Sequence, residues 1–339
     1  MAINKLSIKR FTVFDKIEFD FCDGINVFIG ENGTGKTHLL KIIYAICGCE
    51  RLESTENKKT QDFNEKIRAC FQTKDLAKLT SNHVDDITRS KNTIIEAFID
   101  DNKHHYQFVI KQTGEFAGTA YIPKFKGAIP VVFIPAKEML THARLEKDFL
   151  VRDVPFDITL IDILIKAGVS TLKHLPENIS AVLDRIAQII DGKVVYNNDR
   201  YFIQKQNGSL IEFAVEAEGF KKLGLIYRLI ETGYLNKGSV LIWDEPEANM
   251  NPKLIPVIVE ILLELSLYGV QVFIATHEYN LMKYFSVKKN GNGDVAFFSL
   301  HKTENGVACE KEEDYDLLEH NAIIDANTKL LEDEIERIL

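Results

Sequence analysis

Apolar and polar positions in this 339-residue chain alternate between the strand period and the helix period several times. Residues 25–29, Ile-Asn-Val-Phe-Ile, form a short apolar run between Gly24 and Gly30 and predict a buried strand. Residues 39–46, Leu-Leu-Lys-Ile-Ile-Tyr-Ala-Ile, predict the helix that follows it. A second helical stretch falls near 64–79, where Ile67, Cys70, Phe71 and Leu79 recur at roughly helical spacing. Residues 93–99 and 105–110 alternate as strands about a turn at Asp100-Asp101-Asn102. A strand over 129–135 precedes two amphipathic helices, one carried by Ile158, Ile161 and Leu164, the other by Ile179, Val182, Leu183, Ile186 and Ile190. Gly168 and Pro176 separate them. Strands return over 193–215, a helix covers 223–230, and a buried strand covers 240–243. The long apolar region 254–276 is broken by Glu260, Glu264 and Tyr268-Gly269 into an amphipathic helix and a strand, which excludes a membrane span. Two strands follow over 294–300 and 306–310. The tail over 321–339 is helical, with Ile323, Ile324, Leu330, Leu331, Ile335 and Leu339 apolar. Such a tail docks on its own domain more often than on a partner.

The first strand and helix enclose Gly30-Glu31-Asn32-Gly33-Thr34-Gly35-Lys36-Thr37, which fits G-x-x-x-x-G-K-[ST] at every fixed position, with His38 next. Glycines at 30, 33 and 35 admit backbone angles that let successive N–H groups turn inward around phosphate oxygens. The helix behind them offers unsatisfied N–H groups and the positive end of its dipole to the same anion. Lys36 would reach the β- and γ-phosphates of ATP, and the Thr37 hydroxyl would bind Mg²⁺. A plain glycine-rich turn is the alternative, and the strand before it and the helix after it weigh against that.

The run Val240-Leu241-Ile242-Trp243 ends in two carboxylates. Asp244 would hold Mg²⁺ opposite Thr37, and Glu245 would act as general base on water. Strand 270–276 ends at His277, again a polar group delivered at the carboxyl end of a strand, where α/β ligands sit. Lys36, Glu245 and His277 are thus the catalytic candidates.

These pieces resemble an ATPase head of the ABC superfamily, in its SMC, RecF and OLD branch, and within it the stand-alone bacterial AAA-type ATPases of defence or DNA maintenance. The opening residues 5–14, 17–21 and 24–30 are similar to that branch's two strands feeding the phosphate loop. Asp244-Glu245-Pro246-Glu247-Ala248-Asn249-Met250-Asn251-Pro252 resembles Walker B with its D-loop, and Ala275-Thr276-His277 the histidine switch. The resemblance implies an α/β P-loop NTPase, with a mixed sheet core, an antiparallel β layer and a short helical insertion. It divides into an ATPase lobe over 1–135, the insertion over 136–192 and a second lobe over 193–339. The insertion, too short for a coiled-coil arm, reads equally as a surface for a second copy or partner and as a lid over the same core.

The resemblance further implies ATP-driven pairing of two heads, in a homodimer or higher homo-oligomer. Each nucleotide would be sandwiched between one phosphate loop and the other head's signature helix. The signature candidate is Glu216-Ala217-Glu218-Gly219-Phe220-Lys221-Lys222, in which Gly219 matches and Ala217 stands where the family has serine. Gly219, Lys221 or Lys222, Asn249 and Asn251 are the residues expected across that interface. Thr12 occupies a position where several relatives carry arginine, and Lys137 or Glu138 stands near the expected glutamine of the Q-loop. No nuclease motif follows the head, so a separately encoded effector, a nuclease or toxin, is the implied partner. A DNA-binding repair ATPase of the RecF kind is the alternative. A transporter subunit is disfavoured by the missing LSGGQ, and a non-hydrolysing scaffold by the presence of Glu245 with His277.

Composition changes this picture in few places. A content of 45% hydrophobic and 27% charged residues is ordinary for a globular protein. The net charge of −9 does not suggest a surface coated for DNA, so any nucleic-acid contact would come from a local patch, with Lys58-Lys59, Lys124 with Lys126, and Lys288-Lys289 as candidates. Five scattered cysteines, Cys22, Cys47, Cys49, Cys70 and Cys309, lack zinc spacing and suit a reducing cytoplasm. The opening residues enter a strand rather than an apolar leader, so the expected setting is cytoplasmic with no membrane contact.

Overall fold

The computed structural model describes residues 2–48, 56–80, 92–101, 103–111, 113, 129–143, 157–291, 293–304 and 306–338. Cys49, Asn102, Lys124, Lys126 and Leu339 lie outside the described residues, as do the side chains of Lys58 and Lys59.

The chain enters through β1 (Ile3–Phe11) and β2 (Phe14–Asp20), which pair antiparallel. It then crosses the molecule as β3 (Ile25–Gly30) and turns into α1 (Lys36–Cys47). Next come α2 (Glu56–Phe71) and a 3₁₀ turn over Leu76–Leu79, so the helix expected over 64–79 starts earlier and ends at Phe71. Beyond it the chain leaves the helical path: Gln72 has φ +50°, and Asp75 restarts the turn by accepting the Ala77 N–H. Strands β4 (Thr93–Ile99) and β5 (His104–Ile110) join β1 and β2 in one antiparallel sheet, ordered β2-β1-β4-β5. The turn between them carries Asp100 and Asp101 at positive φ.

After β6 (Val131–Ile134) come α3 (Ile158–Gly168) and α4 (Glu177–Ile189), then the small antiparallel sheet β7 (Gly192–Asn197), β8 (Arg200–Lys205) and β9 (Leu210–Glu212). Helix α5 (Glu218–Glu231) leads into β10 (Val240–Asp244), α6 (Ile255–Tyr268), β11 (Gln271–Ala275) and α7 (Tyr279–Lys288). Strands β12 (Val295–Thr303) and β13 (Gly306–Glu312) and helix α8 (Ala322–Ile338) complete the chain. The apolar region 254–276 is thus α6 followed by β11, and no helix among the described residues is long and apolar enough to cross a membrane.

The central sheet runs β13-β12-β3-β11-β10-β6 and is parallel except for β13. Both faces are buried, which is why its strands read as continuous apolar runs rather than alternating ones. The two-residue period divides them between two cores. Val240, Ile242, Phe28, Phe273 and Phe298 face the antiparallel sheet and α1; Phe19 and Phe21 meet the three phenylalanines edge-on, and Phe28 stacks on Phe298. Leu241, Trp243, Val27 and Ile274 face the other layer, a core they share with Leu164 of α3, Ile186 of α4, Ile226 of α5 and Leu262 of α6. The carboxyl ends of β3, β10 and β11 lie side by side at one edge, where the candidate chemistry sits.

One expectation is corrected here. The tail helix α8 docks only by its root: Ile323 is buried, while Leu330, Leu331, Ile335 and Ile338 are 56–84% exposed. Its apolar positions share a helix face, but among the described residues no element lies against that face beyond the first turns.

Candidate functional site at the ends of the parallel strands

Gly30 ends β3 with φ +142°, and a Cβ there would come within 2.1 Å of the Leu300 carbonyl oxygen on β12. Only glycine lets the backbone leave the sheet at that point. Gly35, at φ +91°, is the N-cap of α1 and provides no side-chain cap, and no acidic residue lies in the first turn. The first N–H groups of α1 therefore stay open at the loop, with the helix dipole behind them. Lys36 folds back over the loop, its Nζ donating to the carbonyls of Gly30 (2.8 Å) and Glu31 (2.9 Å). Burial pulls this amine down to about 8, against the attraction of Asp244 and Glu245. Thr34 is buried and donates to the Glu31 carbonyl, which holds the loop's width, while Glu31, Asn32 and Gly33 are exposed.

The Thr37 hydroxyl donates to Asp244 Oδ2 at 2.9 Å, joining two residues far apart in the chain. Burial lifts the Asp244 carboxyl above its usual range, opposed by that hydrogen bond, with Glu245 adding to the rise. Glu245 continues from β10 and donates its N–H to the Ala275 carbonyl on β11 (2.9 Å). Its φ of +49° lies in the left-handed region, a strain of roughly 1–3 kcal/mol for a residue with a Cβ. The turn it begins is held by Lys222, whose Nζ donates to the carbonyls of Glu245 (3.3 Å), Pro246 (3.0 Å) and Ala248 (2.6 Å).

His277 is exposed at the end of β11 and shares a cleft of about 620 Å³ with Gly30, Glu31, Asn32, Ala326 and Asn327. Partial burial and the nearby Lys36 charge hold its imidazole below its ordinary value, so it is neutral at physiological pH. His38 lies apart from the cleft, edge-on to Phe71 at 5.2 Å. Thr12 sits at the β1–β2 turn with φ +51°, its N–H donated to the Leu79 carbonyl.

Helix α5 begins at Glu218 with Ala217 as an N-cap lacking a side-chain hydrogen bond. Gly219 therefore falls inside the first turn and packs on Leu254 and Met250, where a Cβ would meet Leu254 Cδ1 at 2.5 Å. The expectation that Lys221 or Lys222 offers its amine outward is corrected. Lys221 is 7% exposed and paired with Glu218 (2.7 Å), and Lys222 serves the turn after β10. Because the helix starts early, both side chains are directed into the fold. Asn249 and Asn251 are exposed, Asn249 at φ +58° and Asn251 capping its own turn through the Lys253 N–H (3.0 Å). Lys137 is exposed, and Glu138 accepts from Thr141. Of the basic candidates on view, Lys288 is paired with Glu260, and Lys289 donates to the Glu313 carbonyl.

Sequence reasoning missed Glu247. Its Oε1 accepts from the Thr276 hydroxyl (2.7 Å) and from the His277 N–H (3.1 Å), and burial raises its carboxyl above the usual range. A carboxylate three residues past Asp244 was the available signal, with no partner legible in the sequence.

Residues 30–37, the Thr37–Asp244 pair, Glu245 and the strand-end His277 thus gather at one edge of the central sheet, and the chain resembles ATPase heads of the ABC superfamily, of the SMC/RecF-like type. Comparison with known proteins places the chain in that company. A family described as "AAA domain" matches residues 5–135, and one described as "AAA domain, putative AbiEii toxin, Type IV TA system" matches residues 136–283. The DNA replication and repair protein RecF of Cytophaga hutchinsonii is 42% identical over 60 residues, 18% of this chain and 16% of that protein. RecF of Streptococcus suis is 32% identical over 66 residues, 20% of this chain and 18% of that protein. The chain thus spans less than a fifth of the length of these curated relatives. Among solved structures, an SMC head bound to the C-winged helix domain of ScpA aligns with 92% of this chain and 98% of its own, at TM-score 0.57 and 13% identity. The SMC head of Pyrococcus furiosus, bound to the C-terminal domain of ScpA, aligns with 98% and 99%, at TM-score 0.55 and 10% identity. At such identities the likeness concerns the fold.

Proposed function

We propose that this chain binds ATP with Mg²⁺ and hydrolyses it. The observation that carries the reading is the Thr37–Asp244 hydrogen bond at 2.9 Å, which brings the start of the phosphate-loop helix and the end of β10 together as an oxygen donor pair. Hydroxyl and carboxylate oxygens suit a hard divalent cation, and their separation of 2.9 Å is that of two adjacent oxygens on an octahedral cation held at about 2.1 Å. The cation, when bound, would neutralise charge between the β- and γ-phosphates. Lys36 would leave the Gly30 and Glu31 carbonyls for the phosphate oxygens, and the open N–H groups of α1 would receive the rest. Glu245 would accept a proton from the attacking water, and neutral His277 would donate a hydrogen bond at the γ-phosphate end of the cleft.

Two heads would close on the nucleotide, with Gly219, Asn249 and Asn251 of one meeting the phosphate loop of the other. Ala217 lacks the hydroxyl of a full signature, so the open N-terminus of α5 would supply the contact. The two states would differ in nucleotide contacts, ATP favouring the closed pair and hydrolysis the open one. This switch would act on a separately encoded effector in defence or DNA maintenance. The RecF matches favour the second reading, a DNA-binding repair ATPase, and a DNA-stimulated ATPase rate would select it.

Light scattering and phosphate release on wild-type protein and Glu245→Gln test the core of this. Loss of a general base costs about 10²–10⁴-fold in turnover, with ATP binding retained and the ATP-bound mutant doubling in mass. Wild-type turnover in Glu245→Gln would remove Glu245 from the role of base. Unchanged mass with ATP bound would remove the sandwich.

A further inference from the structure

The His277 end of the site is held by a side chain that contributes nothing to the phosphate loop. Glu247 Oε1 takes the Thr276 hydroxyl at 2.7 Å and the His277 backbone N–H at 3.1 Å. The same hydroxyl accepts the Glu278 N–H at 3.0 Å, and the Thr276 N–H reaches the Phe28 carbonyl of β3 at 3.0 Å. Thr276 is fully buried, so its hydroxyl has no water to exchange for these partners. The backbone of residues 276–278 is therefore fixed by three hydrogen bonds that converge on Glu247 and Thr276. The other end of Glu247 lies in the turn that starts at Glu245, whose carbonyls Lys222 gathers from near the start of α5. One short segment thus carries the candidate base and the anchor of the candidate phosphate sensor, and is tied to the start of the signature helix.

We propose that Glu247 is a positioning residue for hydrolysis, acting through Thr276 and the His277 backbone to hold the imidazole at the γ-phosphate end of the cleft. This rests on the proposed ATPase reading. Glu247 has no place among the phosphate-contacting groups, so its loss leaves ATP affinity in place and lowers turnover. A glutamine keeps the carbonyl oxygen that both donors need.

The test is steady-state hydrolysis and ATP binding by the full chain as wild type, Glu247→Ala, Glu247→Gln, His277→Ala and the double variant Glu247→Ala/His277→Ala. Loss of a residue that orients a functional group costs about 10- to 100-fold. That drop is expected in kcat for Glu247→Ala, with the dissociation constant for ATP within about twofold of wild type and most of the rate restored in Glu247→Gln. In the His277→Ala background, Glu247→Ala should change kcat by less than about twofold, the scatter of independent measurements. An equal loss in both backgrounds would overturn the proposal, since Glu247 would then act without His277. If Glu247→Ala does not fold, Thr276→Val against Thr276→Ser gives the same comparison, valine expected to lose turnover and serine to keep it. Equal rates for those two would also overturn it. A wild-type chain that does not hydrolyse ATP overturns the ATPase reading and this inference together. Hydrolysis that stops in Glu245→Gln but is unchanged in Glu247→Ala overturns this inference alone.

Discussion

Arg228 joins α3 to α5, and its replacement by methionine should weaken the whole fold. Its side chain is 6% exposed. Nε and one terminal nitrogen donate to the Ala167 carbonyl (3.2 and 2.9 Å), and that nitrogen also donates to the Val169 carbonyl (3.0 Å). The other terminal nitrogen reaches Glu231 (3.1 Å). Methionine keeps the apolar stem but removes the donors from the carbonyls at the end of α3 and leaves the half-buried Glu231, which keeps its hydrogen bond from Tyr227, without its ionic partner. Breaking one side of such a pair costs about 3–5 kcal/mol. At roughly 2.1 cal/mol/K per residue, a cooperative transition of this chain has an entropy near 0.7 kcal/mol/K, so the loss corresponds to about 4–7 °C in Tm. The pH dependence gives a second check. Burial raises the Glu231 carboxyl above its ordinary 4.5, and Arg228 opposes that rise. Removing Arg228 lifts it further. Between the unfolded value and the raised one the folded chain holds the extra proton, so stability falls as pH rises, over a wider window in the variant. The deficit should be largest near neutrality and shrink toward pH 4.5. Adding Glu231→Leu should recover part of it, since an apolar pair replaces a broken ionic one. Calorimetric melts of the three proteins at two pH values decide the matter. A Tm for Arg228→Met within about 1 °C of wild type, or a deficit that grows on acidification, would refute the clamp.

Two further outcomes follow from the geometry. With the Lys36 amine near 8 in the nucleotide-free chain, phosphates that raise it again must drive proton uptake on ATP binding. ATP affinity should be flat below about pH 8 and weaken above it, with proton uptake visible by titration calorimetry in two buffers of different ionisation enthalpy. Equal affinity at pH values of about 7 and 9 would refute the assignment. Truncation after Thr328 removes Leu330, Leu331, Ile335 and Ile338, which are exposed. Tm should then stay within about 1 °C, as for other changes to the exposed surface, and a loss of several degrees would mean the distal helix is docked.

The parts of the site legible in the sequence are those whose geometry is set by neighbours along the chain. Gly30, Gly35, Lys36 and Thr37 act within one strand–loop–helix unit, and Asp244 and Glu245 end one apolar run, so residue type and spacing carry their placement. The parallel sheet was readable for a similar reason, because strands buried on both faces leave unbroken apolar runs such as 240–243. Pairing was not readable. Residues 93–99 alternate as a strand should, but their pairing with β1 joins Ile95 to Ile8, far apart in the chain, and nothing local specifies that neighbour. Lys222 was misread because a lysine near the start of a helix is ordinarily solvated. Only the left-handed turn at Glu245 and Asn249, which brings three carbonyls to one point, makes burial of that amine favourable. The tail failed in the opposite direction. Leu330, Leu331 and Ile335 have the period of a docked helix, but periodicity reports an apolar face and not the presence of a surface to receive it. In both cases the deciding quantity is what lies across the gap, and this explains why Glu247, whose two donors stand at the end of another strand, became visible only in three dimensions.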